Sequence, residues 1–151
     1  IVIDYAHNED GMHGLIEICK GLRAPDGRIF LAFGSAGDRT NAIIHRLGYT
    51  AARGPDQVAI AQLHRYLRGR EPHDLVQRLQ AGLADGGKPQ APVFPDELEA
   101  LEWMLTASAP KDVIAITALA QRPEVFQYLR DRGGVVVSPP RIRELVRRSR
   151  G

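Results

Sequence analysis

Short, nearly continuous apolar runs alternate along this chain with stretches in which apolar residues recur every three or four positions. The first pattern is that of strands covered on both faces, and the second that of amphipathic helices packed against them. Five runs read as strands: Ile1–Asp4, Arg28–Phe33, Gln57–Ile60, Val113–Thr117 and Val135–Val137. Pro92-Val93-Phe94-Pro95 adds a short edge segment, because proline has no N–H for a central ladder position. Between them the spacing predicts helices. Asp10–Leu22 places Met12, Leu15, Ile16, Cys19 and Leu22 on one face, and Asp10 reads as its N-cap. Thr40–Arg53 follows, interrupted by Gly48. Pro72–Leu83 starts with a first-turn proline and carries the stripe Leu75, Val76, Leu79 and Leu83. Pro95-Asp96-Glu97 opens a helix through Ala107, and Arg122-Pro123-Glu124 opens another through Arg132, ended by Gly133-Gly134. Strands alternating with helices in this way make βαβ units. The expected fold is α/β: a Rossmann-like three-layer domain with a mostly parallel sheet of about five or six strands, residues 1–151 forming a single domain.

Composition changes this picture little. A chain of 151 residues can bury about 68–70% of its unfolded surface. Its 44% hydrophobic and 25% charged residues are ordinary for a soluble globular protein. No apolar run approaches the roughly 18 residues of a membrane span, and no charged-then-apolar leader is visible. The single cysteine, Cys19, excludes an internal disulfide framework; it reads as a buried structural thiol in a reducing, cytoplasmic setting. The net charge of +2 is uneven, with Arg141, Arg143, Arg147, Arg148 and Arg150 set against Glu144 alone near the end. Ile142, Leu145 and Val146 recur at i, i+3 and i+4, so residues 141–151 read as a basic terminal helix or tail with a solvated arginine face. No aromatic residue interleaves with these arginines to stack on bases, so nucleic acid is not an expected partner, and without an apolar span neither is a membrane.

Three turns carry candidate chemistry. The first strand ends at Asp4-Tyr5-Ala6-His7-Asn8, and the carboxyl ends of strands are where open α/β sheets build ligand sites. A carboxylate there accepts hydrogen bonds from sugar hydroxyls; an imidazole donates to a phosphate or transfers a proton, or is simply structural. The second turn, Gly34-Ser35-Ala36-Gly37-Asp38-Arg39, follows the second strand. It is shorter than a P-loop and lacks the dinucleotide glycine spacing, so by itself it is equally a plain strand-to-helix turn. The third, Leu67-Arg68-Gly69-Arg70-Glu71-Pro72, offers two arginines able to clamp a carboxylate or phosphate, or to sit solvated. No histidine or cysteine spacing suggests a metal site, and no G-x-S-x-G elbow occurs.

Together these pieces resemble the C-terminal domain of the Mur ligase family, which includes peptidoglycan amino-acid ligases, folylpolyglutamate synthase and cyanophycin synthetase. Val2-Ile3-Asp4-Tyr5-Ala6-His7-Asn8 resembles the family's D-Y-A-H-[NT]-P motif, with Glu9 in place of the proline. Gly34 to Arg39 resembles its G-x-x-G-D-R turn. Leu67 to Pro72, Asp96 to Leu101 and Pro110 to Val113 look most like the cyanophycin synthetase branch, and the likeness spans roughly residues 1–130. The chain departs from the diaminopimelate- or lysine-adding enzymes at Ala118-Leu119-Ala120-Gln121-Arg122, where those carry G-K-G-H-E, and it lacks their D-N-P-R motif.

The resemblance implies a two-step chemistry, in which ATP phosphorylates a carboxylate and an amine attacks the acyl phosphate. ATP and Mg2+ would be held mainly by a preceding central ATPase domain, over which this domain closes. Asp4 would contact the ribose, while His7 (as the catalytic residue) and Asn8 would line the phosphate side. Gly37, Asp38 and Arg39 would face the cleft, and Arg68 and Arg70 would meet an amino-acid or peptide substrate. The chain is thus expected to be an excised domain, unable to ligate alone. The alternative is a non-catalytic nucleotide- or partner-binding module on the same fold.

Overall fold

Five strands, β1 (Val2–Asp4), β2 (Ile29–Phe33), β3 (Gln57–Ala61), β4 (Val93–Phe94) and β5 (Val113–Thr117), form one sheet in the order β1-β5-β2-β3-β4. The structure is a computed structural model; it describes residues 1–150, with side chains through Arg148. Every pairing is parallel, and the register sets Asp4 beside Thr117 and Ala32 beside Ile116. β4 is the proline-flanked edge segment the sequence suggests. The helices are α1 (Glu9–Leu22), α2 (Asn41–Ala52), α3 (Pro72–Asp85), α4 (Glu97–Ala107), α5 (Arg122–Asp131) and α6 (Pro139–Arg150).

Strand alternation splits the core in two. Ile29, Leu31, Phe33, Val58, Ile60, Val113 and Ala115 pack against α1, α2 and α3, while Phe30, Ala32, Ala59, Ala61, Ile114 and Ile116 pack against α4 and α5. The central strands are buried at every position on both faces, which is why they read as unbroken apolar runs. Each large side chain withdrawn from water contributes about 1.5–3 kcal/mol. Cys19 belongs to the α1 side of this core, and burial pushes its thiol pKa up to about 12.

The interruption at Gly48 is a packing feature. A Cβ there would stand 2.5 Å from the Leu79 carbonyl oxygen, and one at Gly82 would stand 2.0 Å from that of His45. The backbones of α2 and α3 therefore touch where these two glycines meet.

Two expectations are corrected. Val135–Val137 is not a strand; its residues are 89%, 60% and 42% exposed, in a linker between α5 and α6. α5 packs on one face and α6 on α1 on the other, so this segment carries the chain across between faces. Pro139 and Pro140 then begin α6 directly after it. The N-cap of α1 is Asn8, not Asp10: the Asn8 carboxamide accepts from the Gly11 N–H, and Asp10 lies inside the first turn. The basic end does form a helix, packed on α1.

Asp112 locks the entry of β5 to that of β2. Its carboxylate accepts from the N–H groups of Ala109 and Arg28, both at 2.8 Å, and from the Arg28 guanidinium at 2.9 Å. These backbone donors first, and then the guanidinium, hold its pKa below the usual aspartate value. The stabilisation is complete above the ordinary aspartate pKa, about 3.9, and is lost as pH falls through the lower folded value. Asp112→Asn is expected to lower the melting temperature at neutral pH, with the gap to wild type shrinking below about pH 4. A constant gap down to acid pH would contradict this assignment.

Candidate functional site

α1 through α3 lie on one face and α4 and α5 on the other, so β5 sends the chain to the opposite face from its neighbours β1 and β2. Where adjacent turns diverge like this, a crevice opens at the carboxyl ends of the strands. The β1–α1 turn and the β2–α2 turn flank the β5–α5 turn, about 10 Å apart across one intervening strand. This fold therefore brings the first two candidate turns to one crevice.

On the β1 side, Asp4 is half-buried, and its Oδ1 accepts from the Ala6 N–H at 2.7 Å. The Ala118 N–H donates to the Asp4 carbonyl at 3.0 Å, which ties this turn to β5. His7 is exposed and stands edge-on to Tyr5, ring centroids 5.8 Å apart. Its Nδ1 lies 3.0 Å from the Tyr5 carbonyl oxygen, which can only accept. Nδ1 is therefore the protonated nitrogen, and Nε2 is left to accept a proton or, once protonated, to donate to an anion. Asn8 is committed to the α1 cap through its Oδ1. With Glu9 and Asp10 in the first turn of α1, the β1 side is acidic around one imidazole.

On the β2 side, Gly37 sits under the β3–α3 loop. Its N–H donates to the Tyr66 carbonyl at 2.9 Å. Asp38 and Arg39 are exposed beside it, and Thr40 caps α2 through the Ile43 N–H. Arg70 spends its guanidinium on this turn. It donates to the carbonyls of Gly37 (3.1 Å) and Arg39 (2.9 Å) and to Asn41 Oδ1 (2.7 Å), and pairs with Asp74. Arg70 thus shapes the rim. Arg68 remains exposed, in left-handed backbone at φ 53°, its guanidinium 5.6 Å over the Tyr66 ring.

Three further residues meet at the β5–α5 turn without having been legible in the sequence. Arg65 reaches the Ala120 carbonyl at 3.2 Å from a single 3₁₀ turn, His64–Tyr66. Glu97, on α4, is fully buried beneath the turn. Thr117 Oγ1, fully buried beside Asp4, is the one buried side-chain polar atom among the described residues that lacks a hydrogen-bond partner. A first-turn glutamate and a strand-end threonine look in sequence like a solvated cap and a β-former, which is why neither stood out.

Among the described residues no group of three His, Cys, Asp or Glu side chains is placed to hold a metal ion. No helix there is long and apolar enough to cross a membrane.

The chain is similar to known ligases in sequence and in fold. The chain is 28% identical over 132 residues to a UDP-N-acetylmuramoyl-L-alanyl-D-glutamate--2,6-diaminopimelate ligase of Caldanaerobacter subterraneus subsp. tengcongensis, a span of 87% of this chain and 26% of that protein. It is 28% identical over 117 residues to the same-named ligase of Acidovorax sp. (strain JS42), covering 77% of this chain and 23% of the relative. The chain thus spans about a quarter of the length of the curated relatives it matches. A solved structure of a ligase of that name superposes with a TM-score of 0.71 at 17% identity, over 88% of this chain and 29% of the other, a likeness of fold. Residues 1–119 match the family model described as "Mur ligase, glutamate ligase domain". Since that match takes in most of the chain, the chain belongs to the Mur ligase family, as its glutamate ligase domain.

Proposed function

We propose that this chain is the cleft-closing domain of an ATP-dependent ligase that joins a carboxylate to an amine. The observation carrying this reading is the convergence of the 4–8 and 34–39 turns on either side of β5, at the switch point of a glutamate ligase domain. The named relatives pair D-glutamate, which offers a carboxylate, with 2,6-diaminopimelate, which offers an amine, and the same reaction class is inferred for this chain. Bound ATP, accompanied by Mg2+ and held mainly by a preceding ATPase domain, supplies the phosphoryl group that activates the carboxylate. The setting is the cytoplasm, where ATP is at hand.

The residues at the crevice fit a nucleotide in part. Among the described residues Asp4 Oδ2 has no hydrogen-bond partner, and it is an acceptor for ribose hydroxyls. His7 is exposed, with Nε2 unpartnered among the described residues, and is able to move a proton or meet a phosphate oxygen. Asn8 acts through the α1 cap, fixing the direction of the helix amides. Asp38 and Arg39 face the cleft from the other rim, positioned by Gly37. Arg68 meets the carboxylate of the amino-acid or peptide substrate, with Arg70 holding the turn it works beside. Closure of the domain excludes water from the activated carboxylate.

His7→Ala in the parent enzyme tests this. His7 is exposed, so stability should change by no more than about 0.5 kcal/mol. ATP-dependent amide formation should fall by roughly 100-fold or more, the range for a lost acid–base group. Unchanged ligation in a folded variant would remove His7 from the chemistry. A parent protein that binds nucleotide without forming amides would favour the non-catalytic module.

A further inference from the structure

Glu97 is the first residue of α4, where an acid ordinarily faces solvent, yet it is 0% exposed. Among the described residues it forms no ion pair. Its oxygens are instead surrounded by the backbone of the β5–α5 turn. Oε1 accepts from the N–H groups of Leu119 at 2.6 Å and Ala120 at 3.1 Å. Oε2 accepts from Ala120 at 3.2 Å and Gln121 at 2.7 Å. The Gln121 side chain returns the tie, its Oε1 accepting from the Leu98 N–H at 3.0 Å. A buried carboxylate without a cation is costly unless several donors converge on it, and here three N–H groups at the head of α5 do so. Successive N–H groups turned to one point are how backbone binds phosphates and other anions. This nest lies at the switch-point turn, where the topology of the sheet directs a ligand.

We propose that Glu97 is a positioning residue that permanently occupies the anion nest of the β5–α5 turn with its own carboxylate. The turn is thereby fixed with its amides pointing inward, and that part of the crevice takes no anion from solution. Anion recognition falls to other groups of the crevice, among them the guanidinium groups on the β2 and β3 side, where Arg39, Arg65 and Arg68 are exposed. Arg65 reinforces the arrangement by gripping the Ala120 carbonyl from that side.

Backbone-amide NMR of the 151-residue chain, titrated with inorganic phosphate and separately with formate, tests it. In the wild type, the amides of Leu119, Ala120 and Gln121 should be protected from hydrogen exchange and should not shift with either anion. In Glu97→Ala, protection at these three should fall roughly ten- to hundredfold, the effect of losing hydrogen bonds to a charged group. Formate or phosphate should then shift the same amides and restore protection, which a merely space-filling side chain would not allow. Glu97→Gln retains one carbonyl oxygen, so only one of Leu119 and Gln121 should keep its protection. Phosphate shifts at these amides in the wild type would overturn the proposal. So would a folded Glu97→Ala that stays protected or ignores both anions, or a Glu97→Gln protected at both ends. If Glu97→Ala fails to fold, the wild-type titration and Glu97→Gln decide the matter.

Discussion

Replacing Arg70 by methionine is expected to lower the stability of the chain by about 3 kcal/mol, which for a protein of this size means a melting temperature lower by roughly 6–12 °C. Methionine keeps much of the apolar stem but removes donors to the carbonyls of Gly37 and Arg39, to Asn41 and to Asp74. A hydrogen bond from a charged group contributes about 1.5–3 kcal/mol, and the four are not additive because they share one side chain. The Asp74 part is the weakest, since that carboxylate is 38% exposed and solvent screens it. The two carbonyl bonds matter most, because Arg70 is only 18% exposed and water screens its guanidinium little. Arg70→Lys should recover less than half of the loss, because an ammonium cannot reach several acceptors at once from one fixed plane. A melting temperature within about 2 °C of wild type for Arg70→Met would show that the turn holds without the guanidinium.

Gly37→Ala should be at least as damaging, by about 3 kcal/mol or more, for a steric reason. A Cβ at Gly37 would stand 1.9 Å from the Leu67 carbonyl oxygen, 2.8 Å from its carbon and 3.0 Å from Arg70 Cβ. Two of these three atoms are backbone, so no side-chain rotation relieves the clash. The 34–39 turn would have to lift from the β3–α3 loop, breaking the bond from the Gly37 N–H to the Tyr66 carbonyl. Gly14→Ala is the control, since nothing lies within 4 Å of its added Cβ inside α1. It should stabilise by about 0.5–1 kcal/mol through helix propensity. Combined with Arg70→Met, Gly37→Ala should cost clearly less than the sum, because both loosen the same contact. Strict additivity in thermal or denaturant unfolding would disprove the coupling.

The layered fold is well marked in the sequence because burial on both faces leaves a strand no polar position, as at Ile29–Phe33 and Val113–Thr117. Val135–Val137 has the same composition and forms no strand. Its place in the chain decides the difference: it is the linker that carries the chain from α5 on one face of the sheet to α6 against α1 on the other. The candidate turns were visible for a related reason, since polar and glycine residues directly after an apolar run mark the carboxyl edge of a sheet. Roles within those turns were less visible. Arg68 and Arg70 look alike in sequence, yet one is exposed and the other holds the turn across a gap of about 30 residues.

From local order alone, then, the chain determined its helices and, Val135–Val137 apart, its strands, together with the edge nature of β4, the amphipathic basic end and the turns that carry Asp4, His7 and Gly34 to Arg39. These depend on periodicity, capping and backbone chemistry, which act over a few residues. Only the tertiary structure decided that β5 inserts between β1 and β2, and so made those turns the two walls of one crevice. It also decided that Arg70 serves the rim and that Glu97 is buried in the β5–α5 turn, 22 to 24 residues away in sequence. Such pairings form when distant segments are packed side by side, and a side chain's own sequence neighbourhood carries no trace of which donors will surround it.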